Sequence, residues 1–239
     1  IIFNALHGGI GENGKIQAWL DKNNIKYTGS GAIASSLCMD KAKSKEIAKK
    51  NGIETPDWQL IQKANQEVGI TLPFVVKPND QGSTVGLSIV KNDKFIQPAI
   101  DKAFQHGDKV IIEQYISGRE LTIPIIDEDA YPIVEISPTK SYYDYECKYT
   151  PGMSKYSCPA DLDQNLVEKV ESNTMVLFQN FDCSVYARAD YILDKSGVPY
   201  FLEMNTLPGM TSTSLVPKSA YARGQSFKKL ISNIIKLSL

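Results

Sequence analysis

Arg188, Asp190, Glu203 and Asn205 carry the strongest chemical pattern in this chain of 239 residues. They lie in residues 185–211, VYARADYILDKSGVPYFLEMNTLPGMT, where two strand-like runs flank the turn signal Asp194-Lys195-Ser196-Gly197. Residues two apart on a strand project from one face, so Arg188 shares a face with Asp190, and Glu203 with Asn205. A turn centred on Ser196-Gly197 sets Asp190 opposite Glu203 and Arg188 opposite Asn205. Two carboxylates and an amide oxygen then form a hard, oxygen-only donor set suited to Mg²⁺. Like charges directly opposite destabilise a hairpin unless something cationic sits between them. A single facing pair of acids is ordinary on a solvated hairpin. Four polar groups in register, followed by the small-residue turn Pro208-Gly209-Met210-Thr211, point to a metal instead.

A second pattern suits phosphate. Lys77 closes an apolar run, and Gly82-Ser83-Thr84-Val85-Gly86 begins five residues later. Glycines let backbone N–H groups turn toward an anion, and the hydroxyls add donors. A lysine beside such a loop supplies a point charge. The order GxxxxGK[ST] is absent, and by themselves these residues fit a hairpin turn with a solvated lysine equally well. Glu113 ends a very apolar run and Glu120 follows Gly118-Arg119. Acids there can accept from an adenine amino group or from ribose hydroxyls, although a lone strand-end acid is more commonly just exposed.

Composition narrows the remaining chemistry. Lysine plus arginine (26) nearly balance aspartate plus glutamate (27), a net charge of -1. Nothing in that balance favours nucleic acid or an anionic membrane. No apolar run approaches the roughly 20 residues a membrane span requires, and no secretory signal pattern is present. Cys38, Cys147, Cys158 and Cys183 form no CxxC, and His7 and His106 are the only histidines. A zinc site of common spacing and a histidine-based triad are both disfavoured. The cysteines read as reduced thiols in a cytosol, and carboxylates, lysines, arginines and backbone groups must do the work.

The elements that position these groups follow from periodicity. Ile1-Ile2-Phe3-Asn4-Ala5-Leu6 reads as a strand, then His7 to Gly14 as a glycine turn, then a helix carrying Ile16, Trp19 and Leu20. This is the opening of a doubly wound α/β unit. A chain that begins without Met inside a strand is expected to be a fragment lacking an N-terminal segment. Ile25-Lys26-Tyr27 reads as a short strand. A helix over about 40–50, with Lys41 in its first turn, stops at Asn51-Gly52. A β-rich unit follows, with strands at 73–78, 87–90 and 110–116, and antiparallel partners at 121–126 and 131–136. A helix is expected near 96–105. Residues 137–161 are polar, tyrosine-rich and aperiodic, and loops of that length are usually functional or mobile. A helix near 168–178 precedes the carboxylate hairpin, and Phe227, Leu230, Ile231, Ile234 and Leu237 mark a terminal amphipathic helix.

Seven stretches are similar to the ATP-grasp ligases, most closely the D-alanine–D-alanine ligase family: HGGIGENG at 7–14, YTGSGAIASSLCMDKAKSK at 27–45, VVKPNDQGSTVGLS at 75–88, EQYISGRE at 113–120, YYDYECKYTPG at 142–152, ARAD at 187–190 and EMNTLPGMTSTSLVP at 203–217. They span essentially the whole chain, and the last stretch with YDYECKY is the most specific. The resemblance implies an α/β (α+β) chain with an ATP-grasp fold, two β-lobes sandwiching ATP, preceded by a partial doubly wound N-terminal domain. Residues 1–30 would be its remnant, 31–112 the small lobe with a linker helix, and 113–239 the C-terminal lobe with a lid at 137–161.

The resemblance also implies a reaction: ATP-dependent joining of two D-alanines through an acyl phosphate, for peptidoglycan precursors in a bacterial cytoplasm, with ATP and two Mg²⁺ (or Mn²⁺). By position, Lys41 and Lys77 match lysines that hold phosphates, and Lys148 a lid lysine that reaches them. Glu113, Gln114, Tyr115 and Ile116 match the adenine-contacting strand, and Glu120 the ribose acid. Asp190, Glu203 and Asn205 match the metal ligands, and Arg188 with the Gly209 N–H matches the oxyanion donors. Ser83, which also borders the nucleotide, and Tyr149 match a hydrogen-bonded relay. His7, Tyr143, Gly209 and Ser214 match positions beside the D-alanine substrates. The partners implied are D-alanine and ATP, with no nucleic acid, no membrane, and a homodimer when full length. A glutamate that the family carries in its first β-turn falls upstream of Ile1. The alternatives are a D-alanine–D-lactate or D-serine ligase, against which Tyr149 argues, and a non-catalytic ATP-binding fragment.

Overall fold

The computed structural model describes residues 1–138 and 154–239. Tyr143, Lys148 and Tyr149, and most of the expected lid, lie outside the described residues.

Three helices come first: α1 (Lys15–Lys22), α2 (Ala32–Met39) and α3 (Lys41–Lys50). Asp40 starts α3 by accepting the Lys43 N–H at 3.1 Å, which satisfies one of the free donors of the first turn. Four strands then form an antiparallel sheet: β1 (Trp58–Ile61), β2 (Phe74–Pro78), β3 (Ser88–Val90) and β4 (Val110–Gln114), in the order β1-β4-β2-β3. The helix α4 (Ile96–Phe104) covers its back. Phe74, Val76, Val110 and Ile112 pack there against Ala99, Ile100 and Ala103. Alternation along the strands therefore turns Val75, Lys77 and Glu113 to the opposite face.

The second sheet has six strands: β5 (Gly118–Ile126), β6 (Asp129–Ala130), β7 (Val134–Pro138), β8 (Ser154–Ser157), β9 (Tyr186–Asp194) and β10 (Pro199–Asn205). Its path is β10-β9-β5-β7-β8, with β6 paired to β5. The 17-residue helix α5 (Gln164–Asn180) packs Val170, Leu177 and Phe178 on one face of this sheet, against Leu121, Ile123, Ala187, Ala189, Tyr191 and Phe201. Two closing helices, α6 (Leu215–Ala222) and α7 (Phe227–Leu237), bury Val216, Ala220, Leu230 and Ile234 with Ile126 and Tyr186. The terminal amphipathic helix is thus α7.

Several expectations change. The runs at 1–6 and 25–27 are not strands: they meet in one parallel bridge, Ile2 with Tyr27. Buried Asn4 leaves the ladder, its N–H bonding Thr28 Oγ1 and its amide bonding the Gly11 carbonyl. The helix α2, AIASSLCM, carries no charged stripe to reveal its period, and α6 holds Pro217 in its first turn, where a missing N–H costs little. Strand β4 runs to Gln114 and pairs with both β1 and β2. The change of sheet therefore falls just after Gln114, beyond the boundary expected at 112/113.

Candidate active site

A cleft of about 900 Å³ lies between the two sheets. Every described residue that the sequence placed in a site lines it. The small sheet contributes Lys77, Glu113 and Gln114, and Tyr115 and Ile116 follow directly. Strand β5 gives Glu120, β9 gives Arg188 and Asp190, and β10 gives Glu203 and Asn205. Helix α3 adds Lys41, the glycine loop Ser83, the N-terminal turn His7, and the segment before α6 Gly209 and Ser214.

The hairpin reaches its expected register by an unexpected route. Its turn is a three-residue loop closed by the Asp194 N–H on the Val198 carbonyl at 3.0 Å, with Gly197 at φ 83°. The Asp194 carboxylate accepts from the N–H groups of Ser196 and Val198, so the loop centres one half-step earlier than a Ser196-Gly197 turn. Phe201 accordingly pairs with Tyr191, and an uninterrupted strand would aim Glu203 into the core. A bulge between Phe201 and Glu203 adds one residue. Beyond it Glu203 pairs with Asp190 and Asn205 with Arg188. The bulge flips the alternation, leaving Phe201 and Met204 in the core while Glu203 and Asn205 face the cleft. The Phe201 N–H donates to the Glu54 carbonyl at 2.8 Å, and its carbonyl accepts from Thr55 Oγ1 at 2.8 Å.

Each facing acid has its own cation. Arg188 grips Asp190 with two bonds, Nε to Oδ1 at 2.9 Å and Nη2 to Oδ2 at 2.7 Å, and buried Thr122 donates to Oδ1 at 2.5 Å. Lys41 Nζ lies 3.2 Å from Glu203 Oε2 and donates to the Gln81 carbonyl at 2.7 Å. The like-charge pair is therefore offset by side chains of the protein itself. Asn205 Oδ1 accepts the Leu207 N–H at 2.8 Å, which leaves a lone pair for a cation. Three oxygen-donor side chains on one accessible face fit a hard divalent ion.

On the other wall, Glu113 is nearly fully buried between two lysines. Lys77 Nζ donates to Oε1. Lys45 Nζ stands 2.9 Å from Oε2, an ion pair off the angle of a hydrogen bond, and donates to Thr55 Oγ1 at 2.8 Å. Burial alone would raise the Glu113 carboxyl, but the charges of Lys45 and Lys77 outweigh it and hold it at about 2. Burial lowers Lys45 to about 8, against the pull of Glu113.

The loop between β2 and β3 departs from the glycine argument. Its left-handed residues include Ser83 (φ 54°) and Thr84 (φ 64°) as well as Gly86, and a β-branched residue there is strained. Gly82 matters for its missing side chain, because a Cβ would sit 3.3 Å from Glu12 Oε2. Glu12 in turn contacts His7 Nδ1 at 3.4 Å and raises its pKa. A Cβ on Gly209 would meet Ser214 Oγ at 2.9 Å, the hydroxyl that binds Thr211 through its N–H and Oγ1. Buried Asn79 ties the lysine helix to this wall, accepting from the Ala42 N–H at 3.0 Å and donating to Asp40 at 2.8 Å.

Sequence reasoning missed Glu12, Lys45, Thr55, Asn79 and Thr122. One signal was available for Lys45: it lies four residues after Lys41 and so on the same helix face.

Comparison with known proteins settles the lineage. The family described as D-ala D-ala ligase C-terminus matches residues 42–236. The chain belongs to the D-alanine–D-alanine ligase family. A D-alanine–D-alanine ligase from Methylacidiphilum infernorum is 42% identical, covering 100% of this chain and 78% of its own. One from Syntrophotalea carbinolica is 40% identical, over 98% of this chain and 77% of its own. The crystal structure of a D-alanine–D-alanine ligase from Bacillus anthracis complexed with ATP superposes with a TM-score of 0.87 at 38% identity, over 99% of this chain and 78% of that one. A D-Ala:D-Ser ligase from Enterococcus faecalis superposes with a TM-score of 0.88 at 29% identity, over 99% and 72%. Two antiparallel sheets facing across a cleft are the ATP-grasp arrangement expected for this family.

Proposed function

We propose that this chain joins two molecules of D-alanine at the expense of ATP, forming D-alanyl-D-alanine, ADP and phosphate. The single observation that carries the reading is the convergence of Lys41, Lys77, Arg188, Asp190, Glu203 and Asn205 on one cleft from four different elements. The carboxylate of the first D-alanine attacks the γ-phosphate of ATP and becomes an acyl phosphate. The amine of the second attacks the activated carbonyl, and phosphate leaves.

Both steps concentrate negative charge. Lys41 and Lys77, both in the cleft lining, would bind phosphate oxygens, and Tyr115, Ile116 and Glu120 would contact the nucleoside. Asp190, Glu203 and Asn205 would hold two Mg²⁺ or Mn²⁺ ions, which when bound supply charge neutralisation of the phosphates. Arg188, held by Asp190, would stabilise the oxyanion of the tetrahedral intermediate together with the Gly209 N–H. Ser83, His7 and Ser214 would position the two amino acids. We further propose a cytoplasmic homodimer serving cell-wall precursor synthesis. Residues 1–30 would lead a small lobe that runs to Gln114, and the rest of the chain would form the large lobe with Lys148, Tyr143 and Tyr149 in its lid.

A D-serine product is the second reading, favoured only by the likeness to the D-Ala:D-Ser ligase at its lower identity. The deciding experiment measures ADP release and product mass with D-alanine alone and with D-serine or D-lactate added. D-alanyl-D-alanine as the main product is expected. ATP binding without D-alanine-dependent ADP release would overturn the proposal.

A further inference from the structure

Lys45 has no place in the reaction just described, yet among the described residues around the cleft it is the most deeply enclosed charge. It is fully buried, it does not line the cleft, and it sits behind Glu113, whereas Lys77 and Glu113 form the cleft wall. Its ammonium is held at 2.9 Å from Glu113 Oε2 and donates to Thr55 Oγ1 at 2.8 Å. Thr55 is itself anchored by donating to the Phe201 carbonyl at 2.8 Å. The position of Lys45 is thus set by the protein from both sheets.

The charge count gives this arrangement a purpose. A buried carboxylate facing one lysine makes a closed pair, and the field of that lysine is spent on its neighbour. Here Glu113 Oε1 takes Lys77 and Oε2 faces Lys45. Two cations share one anion, and the surplus positive charge falls on the member at the cleft wall. Burying a third charge behind a salt bridge is costly, so an arrangement that only needed Glu113 neutralised would omit it.

We infer that Lys45 is a positioning residue that counterbalances Glu113 from behind and thereby frees the charge of Lys77 for the phosphates of the nucleotide. The inference rests on the assignment of Lys77 to phosphate binding in the proposed reaction. Glu113 keeps Lys45 protonated at neutral pH, because its charge opposes the burial that lowers the ammonium only to about 8.

The test is a double-mutant cycle read by calorimetric binding of ATP and of adenosine to the whole chain. Lys45→Met keeps the length of the side chain and removes the charge. It is expected to weaken ATP about tenfold while adenosine changes little, and to do almost nothing in the Glu113→Gln background, where there is no anion left to claim Lys77. Equal losses for ATP and adenosine, or the same loss in both backgrounds, would overturn the inference. If Lys45→Met alone does not fold, the uncharged pair Lys45→Met with Glu113→Gln is compared with Glu113→Gln. Agreement within about threefold supports the inference, and a loss near tenfold overturns it. None of these measurements contains D-alanine. A chain that shows the coupling but makes no dipeptide would refute the proposed reaction and leave the role of Lys45 standing.

Discussion

The two walls of the cleft hold their charges in opposite ways. On the wall built by the small sheet and α3, Lys45, Lys77 and Glu113 form a nearly dry cluster in which two cations share one carboxylate. On the hairpin, Arg188, Asp190, Glu203 and Asn205 are only half-buried, and the last three bring carboxylate and amide groups to the cleft lining. The difference separates two tasks. A dry cluster sets a fixed field with little room to rearrange. A wetter set of oxygens can exchange protein partners for a cation and phosphate when substrates arrive.

The largest expected effect tests the wet wall. Glu203→Gln keeps the shape and the contact region of Lys41 but removes the negative donor. Mg²⁺-dependent turnover should fall by about 1,000-fold, measured as D-alanine-dependent ADP release, with little change in thermal stability. A variant as active as the parent would remove Glu203 from the metal site.

The dry wall should answer to pH instead. The Glu113 carboxyl is depressed from its ordinary 4.5 to about 2. A depressed acid contributes stability that is fully present above 4.5 and is lost as the pH falls through 2. Denaturant unfolding between pH 5 and pH 2 should therefore show a loss of about 3 kcal/mol in the parent that is much reduced in Glu113→Gln. An identical acid profile in both chains would mean that the cluster is not what holds this wall.

The smallest effect sharpens the contrast. Thr122 donates to Asp190 from the neighbouring strand. Thr122→Val keeps the volume and removes that bond, and the Mg²⁺ concentration for half-maximal activity should rise about tenfold, as for other groups that orient a metal ligand. An unchanged Mg²⁺ requirement would show that Arg188 alone orients Asp190.

How much of this was legible beforehand differs between the walls. The facing of Asp190 with Glu203 and of Arg188 with Asn205 followed from a spacing of two and a turn signal, because strand alternation is local geometry. The bulge that delivers it was not legible, since the bonds of Phe201 to Glu54 and Thr55 come from residues almost 150 positions away. Lys77 and its glycine loop were readable as a phosphate pattern, whereas the left-handed Ser83 and Thr84 were not. The lysine-rich helix KAKSKEIAKK offers five lysines; a spacing of four puts Lys41 and Lys45 on one face, but nothing in the sequence says that this face is buried while Lys43, Lys49 and Lys50 stay exposed.

Residue types and short spacings by themselves determined the facing oxygen donors of the hairpin, a lysine and glycine-loop pattern that suits phosphate, and the family the chain resembles. These are properties of strands, turns and composition, all local along the chain. Tertiary packing alone decided which charges are dry, which acid each lysine serves, and how an extra residue at Leu202 turns Glu203 from the core to the cleft. Those outcomes depend on desolvation and on partners brought together from distant segments, so they exist only once the two sheets face each other.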